Sequence, residues 1–142
     1  MSSANLDLVR SIYADWERGD WTAPPTWADP EIEFALADGP DPTRVTGVAE
    51  MVAAFTREFL STWDHLRTEA QEYRELDDER ILVYIHNHGR GRTSGMEIGQ
   101  LMGTAEGANV WFIRDGKVVK VVMYWDRARA LSDLGLTPSR GT

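Results

Sequence analysis

The chain has 142 residues, a formal net charge of −8 and no cysteine. Its length predicts a single domain over residues 1–142, and the missing thiols exclude disulfides, thiolate metal sites and a cysteine nucleophile. The negative charge argues against nucleic acid and anionic membranes as partners, because both are bound by clustered Lys and Arg. We find no signal peptide and no run of ~20 apolar residues, so we expect a cytoplasmic protein without a membrane partner.

Two amphipathic helices are predicted in the first half of the chain. Apolar side chains recur at steps of three and four over residues 5–18 and again over residues 48–63. The second stripe places Phe55, Phe59 and Trp63 one above another, which fits either a packed core or one wall of a ligand cavity. Between the helices, residues 31–36 alternate as a short strand, and residues 38–43 are dense in turn formers.

Strands are predicted in the second half over residues 66–76, 80–92, 96–112 and 118–125. The last two are joined at Asp115 and Gly116, a pair that tolerates the positive φ angles of a tight hairpin. Asp126 is predicted to cap a short helix that ends at Gly135. Residues 137–142 are predicted to form a frayed tail.

Side-chain alternation assigns the faces of two of these strands. On the returning strand of the hairpin, Val118 and Lys120 share the wetter face. The strand over residues 80–92 carries on one face Leu82, Tyr84, His86, His88 and Arg90, and on the other Ile81, Val83, Ile85 and Asn87. Both histidines are therefore expected on the same face as Tyr84.

The order of helix, loop, short strand, helix and four antiparallel strands resembles a known family. The likeness is carried by residues 27–34 (WADPEIEF), 91–95 (GRTSG), 114–118 (RDGKV) and 124–127 (YWDR). These segments resemble the SnoaL-like branch of the nuclear-transport-factor-like superfamily, which is related in fold to ketosteroid isomerase and polyketide cyclases. The resemblance implies an α+β fold, with a curved antiparallel sheet wrapped around N-terminal helices to give a cone with an apolar pocket.

The same resemblance implies a homodimer formed through the sheet, but no single reaction. Members of the superfamily include isomerases, cyclases, hydrolases, dehydratases and proteins without a known reaction, and a shared fold does not determine chemistry. The catalytic members work without a cofactor, using one carboxylate or histidine in an apolar cavity where desolvation raises the pKa of an acid.

Asp38 is the candidate base that the resemblance implies. The base of these enzymes follows the first strand, just ahead of a Gly/Pro-rich turn. Counting back from Gly47 gives Asp38, whereas counting forward from Asp29 gives Ala35, which has no proton to transfer. The alternative is that Asp38 forms an Asx-type turn before Gly39.

The candidate proton donors are His86, Tyr13 and Tyr84. Histidine titrates near neutral pH, and the resembled cyclases place one on a middle strand. The alternative is that His86 and His88 lie on the outer, dimer-facing surface of the sheet. Their spacing of two residues is also compatible with the start of a metal site, but no third ligand lies nearby, so we expect neither a metal nor a cofactor.

Six Trp, four Tyr and four Phe supply more aromatic area than a core of this size requires. The residues expected to line a pocket are Trp16, Trp27, Phe34, Phe55, Phe59, Trp63, Met102, Met123 and Trp125. Two functions stay open. One is a cofactor-independent isomerase, cyclase or hydrolase acting on a small carbonyl or polyketide-like compound. The other is a non-catalytic protein of the same fold that binds a small apolar molecule or serves as a scaffold.

Overall fold

A computed structural model describes residues 3–21 and 24–137 of the chain. In chain order its elements are α1 (Ala4–Glu17), β1 (Ala28–Leu36), β2 (Thr43–Thr46), α2 (Val48–Phe55), a π-helical turn (Thr56–Leu60), β3 (Trp63–Glu75), β4 (Arg80–Gly91), α3 (Ile98–Met102), β5 (Glu106–Arg114), β6 (Lys117–Tyr124) and α4 (Arg127–Leu134). The predicted α+β class is confirmed.

The six strands form one curved, unclosed sheet in the order β2-β1-β6-β5-β4-β3. All neighbouring strands are antiparallel except β1 and β6, which run parallel. The sheet is therefore mixed, and the prediction of a purely antiparallel sheet is wrong at this one pair. β1 and β6 are far apart in the chain, so no hairpin connection fixes their relative direction.

The second predicted helix ends earlier than expected, and the fourth predicted strand begins later. The helix predicted over residues 48–63 widens into the π-helical turn after Phe55 and ends at Leu60, so Trp63 already lies in β3. The strand predicted over residues 96–112 begins only at Glu106, after the short α3. A reciprocal capping box starts α3, in which the Gln100 side chain accepts a 3.1 Å hydrogen bond from the Glu97 amide.

The hairpin between β5 and β6 is confirmed. Asp115 and Gly116 have φ angles of 52° and 76°, the left-handed pair that a tight turn requires. The predicted face of Val118 is wrong, because a bulge interrupts the register: Val118 pairs with Ile113 and Lys120 with Phe112. The extra residue turns Val118 into the core, where its exposure is 0%.

Helices cover both faces of the sheet. The inner face packs against α1 and α2, and a second apolar cluster on the outer face packs under α4. The predicted start and end of α4 are confirmed: Asp126 Oδ1 accepts a 2.9 Å hydrogen bond from the Ala128 amide, and Gly135 has a φ angle of 67°. The predicted tail lies outside the described residues from residue 138 onward, and the single-domain organisation stays a prediction.

No helix within residues 3–21 and 24–137 is long and apolar enough to cross a bilayer. The cytoplasmic location stays a prediction.

Candidate functional site

An aromatic cavity of about 120 Å³, which we call the outer pocket, opens between α1, α2 and the inner face of the sheet. Its aromatic walls are Trp16, Trp21, Trp27, Phe34 and Phe55. Asp15 and Asp20 also line it, as do Met51 and Met123. An apolar cavity of about 150 Å³ in another protein holds benzene, so a volume of this size suits a ligand of about one ring.

Three of these rings, Trp16, Trp21 and Phe55, form an aromatic partition at the back of the outer pocket. Their centroids lie 5.2 Å (Trp16 to Trp21), 5.3 Å (Trp21 to Phe55) and 5.8 Å (Trp16 to Phe55) apart. Phe59 continues the series beyond Phe55, at a centroid distance of 4.7 Å. Phe55 directly precedes the π-helical turn and Phe59 lies within it. The wider turn therefore brings both rings toward the interior of the protein.

Behind the partition lies an inner hollow of about 20 Å³, with room for about one water molecule. Trp16, Trp21, Phe55 and Met123 line both spaces. Aromatic side chains therefore occupy much of the interior that the sequence predicted to be hollow, and the outer pocket is the larger of these two spaces.

Three polar side chains face this inner hollow from neighbouring strands: Thr68 on β3, Asn87 on β4 and Asn109 on β5. Their exposures are 6%, 8% and 2%, so they lie within the core. Thr68 Oγ1 donates a 3.0 Å hydrogen bond to Asn87 Oδ1, while Asn109 Nδ2 donates to the Tyr13 hydroxyl. Polar groups on the buried face of a sheet are costly unless bonded, which makes this trio the chemically distinctive part of the interior.

Tyr13 is fully buried behind Asn109 and lines neither the outer pocket nor the inner hollow. Its hydroxyl accepts hydrogen bonds from Asn109 Nδ2 at 2.7 Å and from Trp111 Nε1 at 3.0 Å. Burial raises the pKa of Tyr13 well above 10, and these two hydrogen bonds only partly offset that effect. The phenol is therefore neutral across the physiological range and holds the Asn109 amide in place.

Asp38 follows β1 and lines neither space. Its Oδ1 accepts a 2.7 Å hydrogen bond from the Trp125 amide, and its Oδ2 accepts a 3.1 Å hydrogen bond from the Asp126 amide. Both carboxylate oxygens thus connect the end of β1 to the segment between β6 and α4. These are long-range bonds between two strand ends, and not the local bond of the Asx-type turn before Gly39 that the sequence left open as the alternative.

Tyr84 and His86 lie on the outer face of the sheet, on the opposite side from both spaces. The Tyr84 ring is buried, with the Arg127 guanidinium 4.4 Å from its centroid. His86 Nδ1 lies 3.4 Å from Glu106 Oε2, and its ring centroid is 4.6 Å from that of His88. The structure therefore does not bring Tyr84 and His86 together with Asp38 or Tyr13 around one interior point.

Most of the expected pocket residues do face one of the two spaces. Trp16, Trp27, Phe34, Phe55 and Met123 line the outer pocket, and Phe59 and Trp125 line the inner hollow. Trp63 lines a separate groove beside β3, and Met102 lines neither space.

The polar trio and the two carboxylates of the outer pocket were not among the site residues predicted from the sequence. A signal existed for Asn87, since alternation placed it on the face of Ile81, Val83 and Ile85, and a lone amide among aliphatic side chains marks a special position. Asp15 and Asp20 offered no such signal, because charged residues near a helix end are ordinarily solvated. Within the described ranges, no group of three or more His, Asp or Glu side chains is placed to hold a metal ion.

Residues 9–121 match the family model of the SnoaL-like domain. An NTF2-like protein of unknown function from Burkholderia pseudomallei superposes with a TM-score of 0.71 at 22% identity, covering 92% of this chain and 97% of that one. A proposed polyketide cyclase from Xanthomonas campestris gives 0.60 at 20% identity, over 91% and 95%. A hypothetical protein with a ketosteroid isomerase-like fold from Catenulispora acidiphila, in complex with trimethylamine, gives 0.67 at 12% identity, over 92% and 94%.

At these identities the structural likeness shows the fold alone. No protein of curated function matches the chain.

Proposed function

Because this chain belongs to the SnoaL-like domain family, we propose that it binds a small, mostly apolar ring compound in the outer pocket. The observation that carries the proposal is the pocket itself, a cavity of about 120 Å³ with five aromatic side chains in its walls. Trp16, Trp21 and Trp27 are only partly buried there. Large aromatic side chains left partly open around a cavity are characteristic of small-molecule sites, because burying them against a ligand yields a large hydrophobic gain. A bound small molecule in one neighbour of the same fold supports this proposal.

Calorimetric titration with a simple aromatic ligand, acetophenone, tests the proposal. The Trp27→Leu variant removes one wall of the outer pocket, and we expect it to weaken binding at least about fivefold, in line with the loss of one large apolar contact. Phe112→Leu is the matched control, since it replaces a partly buried ring on the outer face of the sheet. Equal binding by the two variants would place the ligand elsewhere, and no binding to the wild type at millimolar concentration would reject the proposal for this ligand class.

An acid/base enzyme acting on a carbonyl compound is the second candidate, and the polar trio at the inner hollow favours it. Amide and hydroxyl groups in a dry space are suited to hold a carbonyl oxygen as negative charge develops on it. A ligand from the outer pocket reaches Asn87 and Asn109 only if the aromatic partition shifts. The carboxylates that already line the outer pocket, Asp15 and Asp20, replace Asp38 as the proposed proton acceptors.

Exchange of the acetophenone methyl protons with D₂O, followed by NMR, separates enzyme from binding protein. Catalysis predicts faster exchange in the presence of the protein, and a loss of that acceleration in Asn87→Leu. Thr68→Val serves as the structural control, because it breaks the same Thr68–Asn87 hydrogen bond while leaving the amide. Binding without accelerated exchange would identify a non-catalytic ligand-binding protein.

We also propose a homodimer formed through the outer face of the sheet. Phe112, Val122 and Leu134 are partly exposed there, and the Lys120 ammonium lies 5.2 Å from the Phe112 ring centroid. Apolar side chains clustered on a sheet face are suited to a second copy of the same face. Light scattering should give twice the monomer mass for the wild type and the monomer mass for Val122→Glu; a monomeric wild type would reject the dimer.

A further inference from the structure

The charges around the outer pocket are all of one sign. Among the described residues that line it, the charged ones are Asp15 and Asp20. The neighbouring groove beside β3 shows the opposite sign, with Arg18 and Arg67 among its lining residues. Trp21 and Leu60 line both spaces. The acidic residues therefore lie on one side of these two side chains and the basic residues on the other.

The ion pair between Asp15 and Arg18 does not remove the negative character of the pocket. Arg18 Nη2 lies 2.5 Å from Asp15 Oδ1, but 63% of the Arg18 side chain and 36% of the Asp15 side chain are exposed. A pair this open to water is weak and is readily rearranged when a ligand arrives. Arg18 itself is not among the residues that line the outer pocket.

The aromatic rings that line the outer pocket are inclined to one another at different angles. The Phe34 ring stands at 69° to the Phe55 ring, with centroids 6.3 Å apart, whereas Trp16 is tilted only 33° from Phe55. The lining rings therefore do not form one flat wall. Ring faces carry negative electrostatic potential, and several of them around one group form the arrangement that binds quaternary ammonium ions.

On these observations we propose that the ligand of the outer pocket carries an alkylated ammonium group. The inference rests on the proposed function and specifies the chemical class of its ligand. The aromatic faces bind the alkyl groups and the positive charge together, while Asp15 and Asp20 supply the counter-charge at the pocket. The net charge of −8 favours the approach of a cation over that of an anion.

Two ligands of nearly the same shape test the proposal: phenyltrimethylammonium and its uncharged isostere tert-butylbenzene. The two differ by the positive charge, so their ratio of affinities isolates the cation effect from apolar burial. We expect calorimetry on the wild type to show the cation binding about tenfold more tightly. Binding of tert-butylbenzene as tight as that of the cation would overturn the inference and leave the proposed function intact. Failure of both to bind at millimolar concentration would overturn both.

The carboxylates are tested by the double variant Asp15→Asn/Asp20→Asn. We expect it to lower the affinity for phenyltrimethylammonium about threefold to tenfold while leaving that for tert-butylbenzene unchanged. The matched control is Glu31→Gln/Asp41→Asn, which changes the net charge equally at two exposed positions outside the outer pocket. Equal effects of the two double variants on the cation would show that only overall charge matters, and would overturn the assignment of the site.

Discussion

The side-chain amide of Asn109 donates a 2.7 Å hydrogen bond to the hydroxyl of Tyr13, joining β5 to α1 inside the core. The Trp111 indole donates to the same oxygen at 3.0 Å. One hydroxyl thus accepts two hydrogen bonds from groups on the inner face of the sheet, which is the full acceptor capacity of a phenol oxygen. The hydrogen bond between Asn109 and Tyr13 fixes α1, which carries Trp16, relative to β5.

Replacing Tyr13 by Phe should be strongly destabilising. The substitution leaves the Asn109 amide and the Trp111 N–H without their acceptor in a dry core, and we expect a loss of about 2–4 kcal/mol in the free energy of unfolding. Tyr73→Phe is the control, because Tyr73 is only partly buried and a phenylalanine keeps its ring contacts with Tyr13 and the Arg10 guanidinium. Urea unfolding of both variants provides the measurement, and losses of similar size would contradict the role given to the Tyr13 hydroxyl.

Stability should fall at alkaline pH, and Tyr13 should account for part of the fall. Its pKa is raised in the folded state, chiefly by burial, so its contribution is fully present below pH 10. Above that pH the phenol ionises in the unfolded chain but not in the folded one, which favours unfolding by up to ~1.4 kcal/mol per pH unit. Urea midpoints between pH 8 and 11 should therefore decline less steeply for Tyr13→Phe than for the wild type. Parallel declines would show that Tyr13 titrates normally.

Asp38→Asn should lower stability without affecting ligand binding. The Asp38 carboxylate accepts hydrogen bonds from the backbone amides of Trp125 and Asp126. An asparagine would place its own NH₂ group against one of these two N–H donors. We expect a cost of about 1–3 kcal/mol in the free energy of unfolding. Affinity for acetophenone should stay within twofold of the wild type. Asp41→Asn, in the same loop but exposed, should be nearly neutral on both measures; reduced proton exchange in Asp38→Asn at full binding would instead restore Asp38 as the base.

Gly107→Ala should destabilise the centre of the sheet. A Cβ atom at this position would lie 2.6 Å from the Tyr124 carbonyl oxygen. This oxygen belongs to the backbone of β6, which cannot shift as a flexible side chain would. We expect a loss of about 1–3 kcal/mol in thermal or urea unfolding. Gly99→Ala is the matched control, because its added Cβ meets only an ordinary contact of 3.6 Å and an alanine favours the helix. A neutral Gly107→Ala would show that β5 and β6 can separate locally without cost.

The sequence predicted α1, α2, α4 and most strands because their signals are local. Periodicity located α1, and turn chemistry at Asp115 and Gly116 located the β-hairpin. The bulge at Val118, the π-helical turn and the parallel pairing of β1 with β6 were not predictable, because each is decided by how distant segments pack. A one-residue bulge leaves no mark in composition, yet it reversed the face of Val118.

The site was predictable only in its apolar part. Aromatic stripes on α1 and α2 pointed to the cavity walls, since periodicity assigns a face to each side chain. The polar partners could not be paired in the same way: Tyr13 and Asn109 are 96 residues apart, and nothing in either local pattern connects them. The candidate role of Asp38 depended on counting from landmarks, which fixes only a chain position. The roles of Tyr84 and His86 depended on the resemblance and on alternation, which groups residues on one face of a strand but does not say which face lines the cavity.

The place of β6 in the sheet determines when the domain can assemble. β6 is the last strand of the described residues, yet it lies between β1 and β5, and it links β1 and β2 to the other three strands. During synthesis, β1 and β2 can pair with each other, but they gain their parallel partner only after Lys117–Tyr124 has emerged. Such distant pairing slows folding, because a long loop must close before its contacts form. Until then the aromatic side chains of α1 and α2 have no complete sheet to cover them, so the cavity closes only after β6 has paired with its neighbours.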